Sequence, residues 1–315
     1  MKIFDAHCDV LMKMFIDATI TFHDQSKLDI TYESLKETGG KVQCFAIYIP
    51  ENVHPDLRFM AALSMVELFV TKIVLLPQIR WIRTKEDIQK LKVDQIGAVL
   101  TLEGCDCIGA DILKLKTLLR LGVRSVGLTW NFANMVADGA MEQRGAGVTR
   151  FGEHVIEVLN ENKAWTDVSH LSEQAFWDVI ERANDIIASH SNAYKLCPHR
   201  RNLRDDQISA LINKGAPIGI TFVPEFLKKD KKATIKDVLE HIDYIGSLGG
   251  RNNLGFGSDF DGIDHKVSGL TNYRGYQELI NSLTKYYSAD FVKDLLFNNF
   301  AKKFPNDSQL VNESY

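Results

Sequence analysis

The chain begins with the run Lys2-Ile3-Phe4-Asp5-Ala6-His7-Cys8-Asp9, an apolar stretch that ends in two groups able to bind a divalent cation. Side chains alternate between the two faces of a strand, so a strand here would project His7 and Asp9 to the same face. One imidazole and one carboxylate would then converge on a single point. The run therefore predicts metal ligands at the end of a first strand.

This run is one of eight continuous apolar runs, and three of the others end on Glu103, His170 and His190. Continuous runs, as opposed to alternating ones, are typical of parallel strands that helices cover on both faces. The eight predicted strands cover residues 2–9, 42–49, 96–103, 125–131, 165–170, 186–190, 217–222 and 254–259.

Helix-like stretches lie between the runs, at residues 56–79, 112–121, 152–162, 172–184, 205–214 and 235–248. The last ends at Gly249-Gly250, a common stop signal. Alternation of strands and helices without a repeat or a Pro-rich linker favours a single (β/α)8 barrel, an α/β fold, over residues 1–315. A doubly wound sheet is the second choice.

In such a barrel the strands all end at one mouth, which is where active sites lie. Residues far apart in the sequence then become neighbours, and His7, Asp9, Glu103, His170 and His190 share that mouth. Residues 131–151, after the fourth predicted strand, and 197–206, after the sixth, would form loops over it.

Imidazoles and carboxylates are ordinary zinc ligands, and a carboxylate can bridge two ions. Two ions about 3.5 to 4 Å apart can hold a shared hydroxide and polarise a carbonyl group. Zinc also lowers the pKa of its bound water to about 7, so no serine or cysteine nucleophile is needed. The set therefore predicts a hydrolase with two zinc ions.

The last predicted strand ends at Asp259. A carboxylate at the mouth that is not needed as a ligand could take a proton from the attacking water and pass it to the leaving amine. Asp259 is the first candidate for this role, and Asp261 is the second. The run His199-Arg200-Arg201-Asn202 offers guanidinium groups, whose fork matches a substrate carboxylate.

The composition of the chain indicates which partners and which cellular compartment to expect. Among 315 residues, 37 basic and 41 acidic side chains give a net charge of −4. This mild charge shows no basic run, so it favours neither nucleic acid nor an anionic membrane surface as a partner. We find no secretory leader and no apolar stretch of the roughly 20 residues that span a bilayer. Five cysteines, an odd number without zinc-ribbon spacing, fit reduced thiols. We expect a cytoplasmic enzyme, and a homo-oligomer remains open.

Six stretches, in this order, resemble the membrane dipeptidase (renal dipeptidase) family of zinc peptidases. Each motif is weak alone, and the six together at compatible spacing are a strong signal. They are Phe4-Asp5-Ala6-His7-Cys8-Asp9, Leu102-Glu103-Gly104, Asp167-Val168-Ser169-His170-Leu171-Ser172, Ala188-Ser189-His190-Ser191-Asn192-Ala193, Arg200-Arg201-Asn202-Leu203 and Gly257-Ser258-Asp259-Phe260-Asp261-Gly262.

The resemblance implies a distorted (β/α)8 barrel of the amidohydrolase type with a binuclear zinc centre that cleaves dipeptides. Carried over by motif, His7 and Asp9 bind the first zinc, Glu103 bridges, and His170 and His190 bind the second. The resemblance further implies that Arg201 holds the C-terminal carboxylate of the substrate and that Asp259 is the acid and base.

Two departures from the family pattern matter. Leu128-Thr129-Trp130-Asn131 has Trp130 where the animal members carry a histidine near the substrate. Oxyanion stabilisation then falls to Asn131, to the metals or to another group. Residues 308–315 are polar, so we expect no membrane anchor at the C-terminus.

Other residues have plainer explanations. His23, His54, His154 and His241 are expected to be exposed or hydrogen-bonded rather than ligands. Asp5 either orients a ligand histidine or makes a structural hydrogen bond. Arg200 is expected to be a solvated neighbour of Arg201.

Three functions follow from these residues. The first is a zinc dipeptidase, including action on dipeptides with D-residue C-termini. The second is another amidohydrolase-like enzyme on the same metals, an N-acyl-amino-acid deacylase or a lactonase. The third is a non-catalytic metal-binding barrel, against which Asp259 and the complete ligand set argue.

Overall fold

The computed structural model describes residues 1–306. Nine strands, paired in parallel throughout, form one sheet. They are β1 (Ile3–Asp5), β2 (Gly40–Tyr48), β3 (Ile79–Trp81), β4 (Ile96–Glu103), β5 (Val123–Gly127), β6 (Trp165–Asp167), β7 (Ile186–Ile187), β8 (Ile218–Ile220) and β9 (Leu254–Phe256).

The sheet closes into a barrel. Its order is β7-β6-β5-β4-β2-β1-β9-β8, and a parallel bridge between Ala188 and Ile218 joins the two ends. The Ala188 amide donates to the Pro217 carbonyl at 3.0 Å, and the Gly219 amide donates to the Ala188 carbonyl at 2.8 Å. The predicted barrel is confirmed, because a doubly wound sheet would stay open at both edges.

One strand was not predicted. β3 pairs with the first half of β4, with Ile79 opposite Ile96, whereas β5 pairs with the second half, with Leu100 opposite Val123. The prediction of a helix over 56–79 is therefore wrong at its end. The α-helix stops at Leu68, a π-helical segment follows over Phe69–Val74, and Ile79 is already in β3.

Helices surround the sheet, and the other predicted helices agree with the structure within two residues at each end. Side-chain caps begin several of them; for example, Thr149 and Ser172 each accept a hydrogen bond from a backbone amide of the first turn. The α-helices are Val10–Ile16, Tyr32–Thr38, Arg58–Leu68, Lys85–Lys90, Ile112–Arg120, Arg150–Glu161, Glu173–Arg182, Asp205–Lys214, Pro224–Leu227, Ile235–Ser247, Tyr276–Tyr286, Ala289–Lys293 and Asn299–Lys303.

Several predicted strands extend too far, because an aspartate ends the backbone ladder. Asp5 Oδ1 accepts from the amides of His7 (3.2 Å) and Ser258 (2.9 Å), so its side chain takes the place of a ladder carbonyl. Asp167 Oδ1 does the same for the amides of Ser169 and Ser189, both at 3.0 Å. His7, Asp9, His170 and His190 therefore lie just beyond the strands, whereas Glu103 is the last residue of β4. Strand alternation does not explain how His7 and Asp9 meet.

Two glycines allow the barrel to close tightly near the mouth. A Cβ on Gly219 or on Gly257 would lie 1.9 Å from the Ser189 carbonyl oxygen, so either side chain would push the turn after β7 outward.

None of the helices within residues 1–306 is long and apolar enough to cross a membrane. The polar segment 308–315 lies outside the described residues, and one domain over 1–315 stays a prediction.

Candidate metal centre

Four of the five predicted ligands, Glu103 and the three histidines, meet at the mouth of the barrel around one oxygen of Glu103. Oε1 of Glu103 lies 3.0 Å from Nε2 of His170, 3.5 Å from Nε2 of His190 and 3.7 Å from Nε2 of His7. The Nε2 atoms of His170 and His190 are 2.9 Å apart, and the rings of His7 and His190 stack with centroids at 4.0 Å.

A second group forms around His7. Its Nε2 lies 3.4 Å from Oδ2 of Asp9 and 3.8 Å from Oδ1 of Asp259. Gly262 packs directly against both carboxylates, since a Cβ there would lie 2.2 Å from Asp9 Oδ2 and 2.6 Å from Asp259 Oδ1. The chain thus brings His7 together with Glu103 and His190 on one side, and with Asp9 and Asp259 on the other.

Hydrogen bonds orient two of the imidazoles. Nδ1 of His170 is 3.0 Å from the side-chain oxygen of Asn131, so Nδ1 carries the proton and Nε2 presents its lone pair to Glu103. Nδ1 of His190 is 2.7 Å from the Ser189 hydroxyl, which also contacts the Asp167 carboxylate. If Ser189 donates to Asp167, its oxygen accepts from His190 Nδ1, which leaves Nε2 free for a cation.

Two site residues adopt left-handed backbone conformations that cost an L-residue energy. His170 has φ of 68° and Asp259 has φ of 64°. Such strain concentrates at functional sites, where the surrounding structure holds it in place.

Burial perturbs the pKa values of the site groups. Burial raises the pKa of the Glu103 and Asp259 carboxyls, although His7 acts in the opposite direction. Burial also lowers the pKa of His170 and His190 well below the usual range, with the cationic Arg201 and His7 adding to the effect. For His7 burial is outweighed by Glu103 and Asp9, which raise its pKa.

These residues fit a divalent cation. Within residues 1–306, Nε2 of His7 and Oδ1 of Asp9 are buried and make no hydrogen bond. A buried polar atom without a partner is costly. Imidazole nitrogen and carboxylate oxygen are zinc ligands, so a bound cation would satisfy both atoms.

A cavity of about 340 Å³ opens onto this centre. Arg201 is 4% exposed in its wall, and its Nη2 donates to the His190 carbonyl at 3.2 Å. Burial lowers the pKa of Arg201 to about 10, so it stays cationic at neutral pH. On the other side of the cavity the rings of Tyr48 and Trp130 lie 5.2 Å apart.

The structure separates the remaining candidates. Asp259 lines the cavity, whereas the carboxylate of Asp261 is occupied by Lys13 and by the amides of Asp29 and Ile30. The carboxylate of Asp5 accepts hydrogen bonds from two backbone amides and from the Tyr276 hydroxyl, the last at 3.1 Å. This favours its structural role.

The other predicted neighbours also fall into place. Arg200 is exposed, as expected. Asn131 lies in the cavity wall and also holds His170. His241 is buried and hydrogen-bonded at both ring nitrogens, away from the mouth.

Sequence reasoning missed the Asp167–Ser189 pair, Tyr48 and Gly262. Asp167 and Tyr48 each end a strand, which was the available signal. No local pattern marks Gly262 as the residue that admits two carboxylates.

A parallel barrel whose mouth gathers imidazoles and carboxylates is an architecture of metal-dependent hydrolases. The family model for membrane dipeptidases, peptidase family M19, matches residues 1–314, and the chain belongs to this family.

Individual relatives agree. Dipeptidase aclJ of Aspergillus oryzae is 35% identical over 196 residues, which are 60% of this chain and 46% of that protein, so the match spans about half of that relative's length. The crystal structure of dipeptidase AC, a metallopeptidase of family M19, superposes with a TM-score of 0.91 at 25% identity, over 98% of this chain and 99% of that one. A metallopeptidase from Rhodobacter sphaeroides shares the fold, with a TM-score of 0.90 at 24% identity, over 96% of this chain and 98% of that one. That structure holds a phosphinate mimic of the dipeptide L-Ala-D-Ala.

Proposed function

We propose that this protein is a zinc-dependent dipeptidase with two metal ions. His7 and Asp9 would hold the first ion, Glu103 would bridge, and His170 and His190 would hold the second. The observation that carries the proposal is the placement of one Glu103 oxygen within 3.7 Å of three imidazole nitrogens, beside two buried ligand atoms that make no hydrogen bond within residues 1–306.

Zinc, when bound, supplies Lewis acidity that polarises the scissile carbonyl and lowers the pKa of water. The side chains of the chain do the rest. Arg201 holds the C-terminal carboxylate, since a buried guanidinium fork matches a carboxylate. Asp259 takes a proton from the attacking water and returns it to the leaving nitrogen, a role that its raised pKa favours.

Trp130 bears on oxyanion stabilisation. An indole has one N–H donor and no basic nitrogen, so it cannot repeat the work of an imidazole. Asn131 lines the same cavity but its side-chain oxygen holds His170, which leaves only its amide NH2 group for a substrate. Asn131 would therefore contribute both to ligand orientation and to substrate binding.

The Rhodobacter metallopeptidase binds a mimic of a dipeptide with a D-residue C-terminus. We include such dipeptides in the proposed substrate class. The decisive experiment loads the protein with zinc, measures metal per chain by mass spectrometry, and assays a panel of L,L- and L,D-dipeptides beside N-acyl-amino acids and lactones.

Two zinc ions per chain and cleavage of dipeptides are expected. A fully loaded protein that cleaves none of the dipeptides would overturn the proposal. Turnover of the acyl amino acids or lactones alone would support the deacylase or lactonase instead.

The Arg201→Ala variant tests substrate recognition. It should raise KM for dipeptides much more than it lowers kcat, because Arg201 binds a group that does not react. Arg200→Ala is the matched control, since Arg200 is exposed and should leave both constants unchanged.

A further inference from the structure

His199 lies in the cavity wall beside Arg201 and has no role in the function proposed so far. Its ring packs on Phe226 with centroids 4.5 Å apart at 31°. The guanidinium carbon of Arg201 lies 5.4 Å from the centroid of the same phenyl ring. Phe226 thus contacts both the imidazole and the guanidinium, and all three residues line the cavity.

A hydrogen bond from the backbone determines which ring nitrogen of His199 carries the proton. The Arg201 amide donates to Nδ1 of His199 at 3.2 Å, so Nδ1 is an acceptor. A neutral imidazole with an accepting Nδ1 carries its proton on Nε2. Burial lowers the pKa of His199, and the nearby Arg201 adds to this, so the ring is neutral at pH 7. No hydrogen bond from Nε2 is found within residues 1–306.

Arg201 itself has unused donors. Its Nη2 is held by the His190 carbonyl, whereas its Nε is buried and makes no hydrogen bond within the described residues. Two kinds of donor, a guanidinium and a neutral N–H, therefore both lie in the wall of this cavity. The partner that accepts from both and donates to neither is an anion such as a carboxylate.

The neighbouring carboxylate, that of Glu225, pairs with another residue and not with the imidazole of His199. Glu225 also lines the cavity, but it forms an ion pair with Lys231 at 3.4 Å. Among the described residues, the two groups of possible metal ligands at the mouth do not include His199, so its donor is not part of the metal centre.

We propose that Nε2–H of His199 donates a second hydrogen bond to the substrate carboxylate that Arg201 binds. The two residues would then form one subsite that selects a free C-terminal carboxylate. This inference rests on the proposed dipeptidase function and assigns His199 to substrate binding.

Two variants distinguish the contribution of Nδ1 of His199 from that of Nε2. His199→Asn keeps an acceptor near the position of Nδ1 for the Arg201 amide and removes the Nε2 donor. His199→Gln places an amide N–H near the position of Nε2 and loses the Nδ1 acceptor. We expect His199→Asn to raise KM for a dipeptide roughly tenfold or more with little change in kcat, as loss of a hydrogen bond to a charged group predicts. His199→Gln should recover most of that loss.

A substrate without the carboxylate completes the test. On an analogue of the same dipeptide in which hydrogen replaces the C-terminal carboxyl group, His199→Asn and the wild type should have equal kcat/KM, because no oxygen is left at that end to accept from Nε2–H. His154→Asn is the control, since His154 is exposed on an outer helix. Zinc content and melting temperature are measured for every variant.

The outcomes are distinct. With zinc content and melting temperature unchanged, a defect in His199→Gln but not in His199→Asn would mean that only the Nδ1 contact matters and would overturn the inference. An equal defect in both variants would show that a donor at the Nε2 position does not restore binding and would overturn it as well. So would a His199→Asn defect that persists on the analogue without the carboxyl group, or no defect at all. A wild type that cleaves no dipeptide would instead reject the proposed function.

Discussion

Two clusters of acidic residues lie side by side beyond the end of β9. They differ in whether lysine side chains pair with their carboxylates. Asp259 and Asp261 are two positions apart, both are left-handed (φ of 64° and 70°), and burial raises the pKa of each to about 6. Asp261 is met by the Lys13 ammonium at 2.9 Å and by the amides of Asp29 and Ile30.

The mouth cluster of Asp9, Glu103 and Asp259 has no lysine partner among the ion pairs within residues 1–306, and Oδ1 of Asp9 makes no hydrogen bond. Buried carboxylates are costly unless they are paired. The Asp261 cluster is paired within the described residues, because Lys13 faces Asp261 and Lys266 faces the neighbouring Asp29, and we expect it to stabilise the fold. The mouth cluster is incomplete without a cation from outside.

The largest effect should come from removing the central carboxylate of the mouth. Glu103→Gln keeps the size and loses the charge, so we expect loss of metal and a fall in kcat/KM of more than about 100-fold, the upper range for residues that merely orient a ligand. Metal analysis and dipeptide kinetics check this. A variant that keeps both its metal and its activity would break the distinction between the clusters.

The corresponding change in the complete cluster should act on stability instead. Asp261→Asn removes the charge that faces Lys13, and we expect a loss of about 1–3 kcal/mol in the free energy of unfolding, with metal content unchanged. Lys13 is 30% exposed, so water partly compensates. Urea unfolding and metal analysis are the measurements, and metal loss at unchanged stability would contradict the expectation.

A smaller effect should follow from crowding the mouth cluster. In Gly262→Ala the new methyl group would lie 2.2 Å from Asp9 Oδ2, so this carboxylate must move. We expect roughly tenfold weaker metal binding, at the lower end of the 10- to 100-fold loss that follows when the surroundings of a metal ligand are disturbed.

Gly246→Ala is the matched control for Gly262→Ala. Its Cβ would meet nothing closer than 3.5 Å, in the helix Ile235–Ser247. Metal titration should show an unchanged affinity, and an equal loss in both variants would argue against a specific effect at the mouth.

The smallest effect concerns a buried titratable group outside both clusters. Nδ1 of His241 accepts from the Ala193 amide at 3.0 Å, and Nε2 lies 3.1 Å from the Leu227 carbonyl, so the ring is neutral. Burial lowers its pKa from 6.5. Its contribution to stability is therefore complete above pH 6.5 and is lost as the pH falls, by up to about 1.4 kcal/mol per unit.

Urea unfolding of the metal-free protein between pH 7.5 and 5.5 checks this sign. The slope of stability against pH should be smaller in His241→Asn than in the wild type, because one proton uptake by the unfolded state is missing. Parallel slopes would show that His241 titrates alike in both states.

Much of the barrel was predictable because continuous apolar runs and helix caps are local signals. Glu103, His170 and His190 could be found because each closes or follows such a run. β3 could not, since only Ile79 of its three residues is fully buried and the pairing with β4 is a long-range contact. The contact of Ser189 with Asp167 likewise spans 22 positions and leaves no mark in the nearby sequence.

The strand ends were misplaced for a related reason. Asp5 and Asp167 end their ladders by accepting amides from a neighbouring strand as well as from their own turn. A pattern of apolar residues carries no information on such a contact. The roles of the individual ligands, the number of zinc ions and the oligomeric state stay predictions.

His170 and Asp259 both have left-handed backbone conformations, so the residue that is most stable at these positions differs from the residue that the proposed site needs. Glycine adopts that conformation freely, so either residue changed to glycine would release about 1 kcal/mol or more of strain while removing a side chain of the mouth. Screening variants for thermal tolerance alone should therefore enrich glycine at these two positions and yield a more stable barrel that lacks a side chain of the proposed active site.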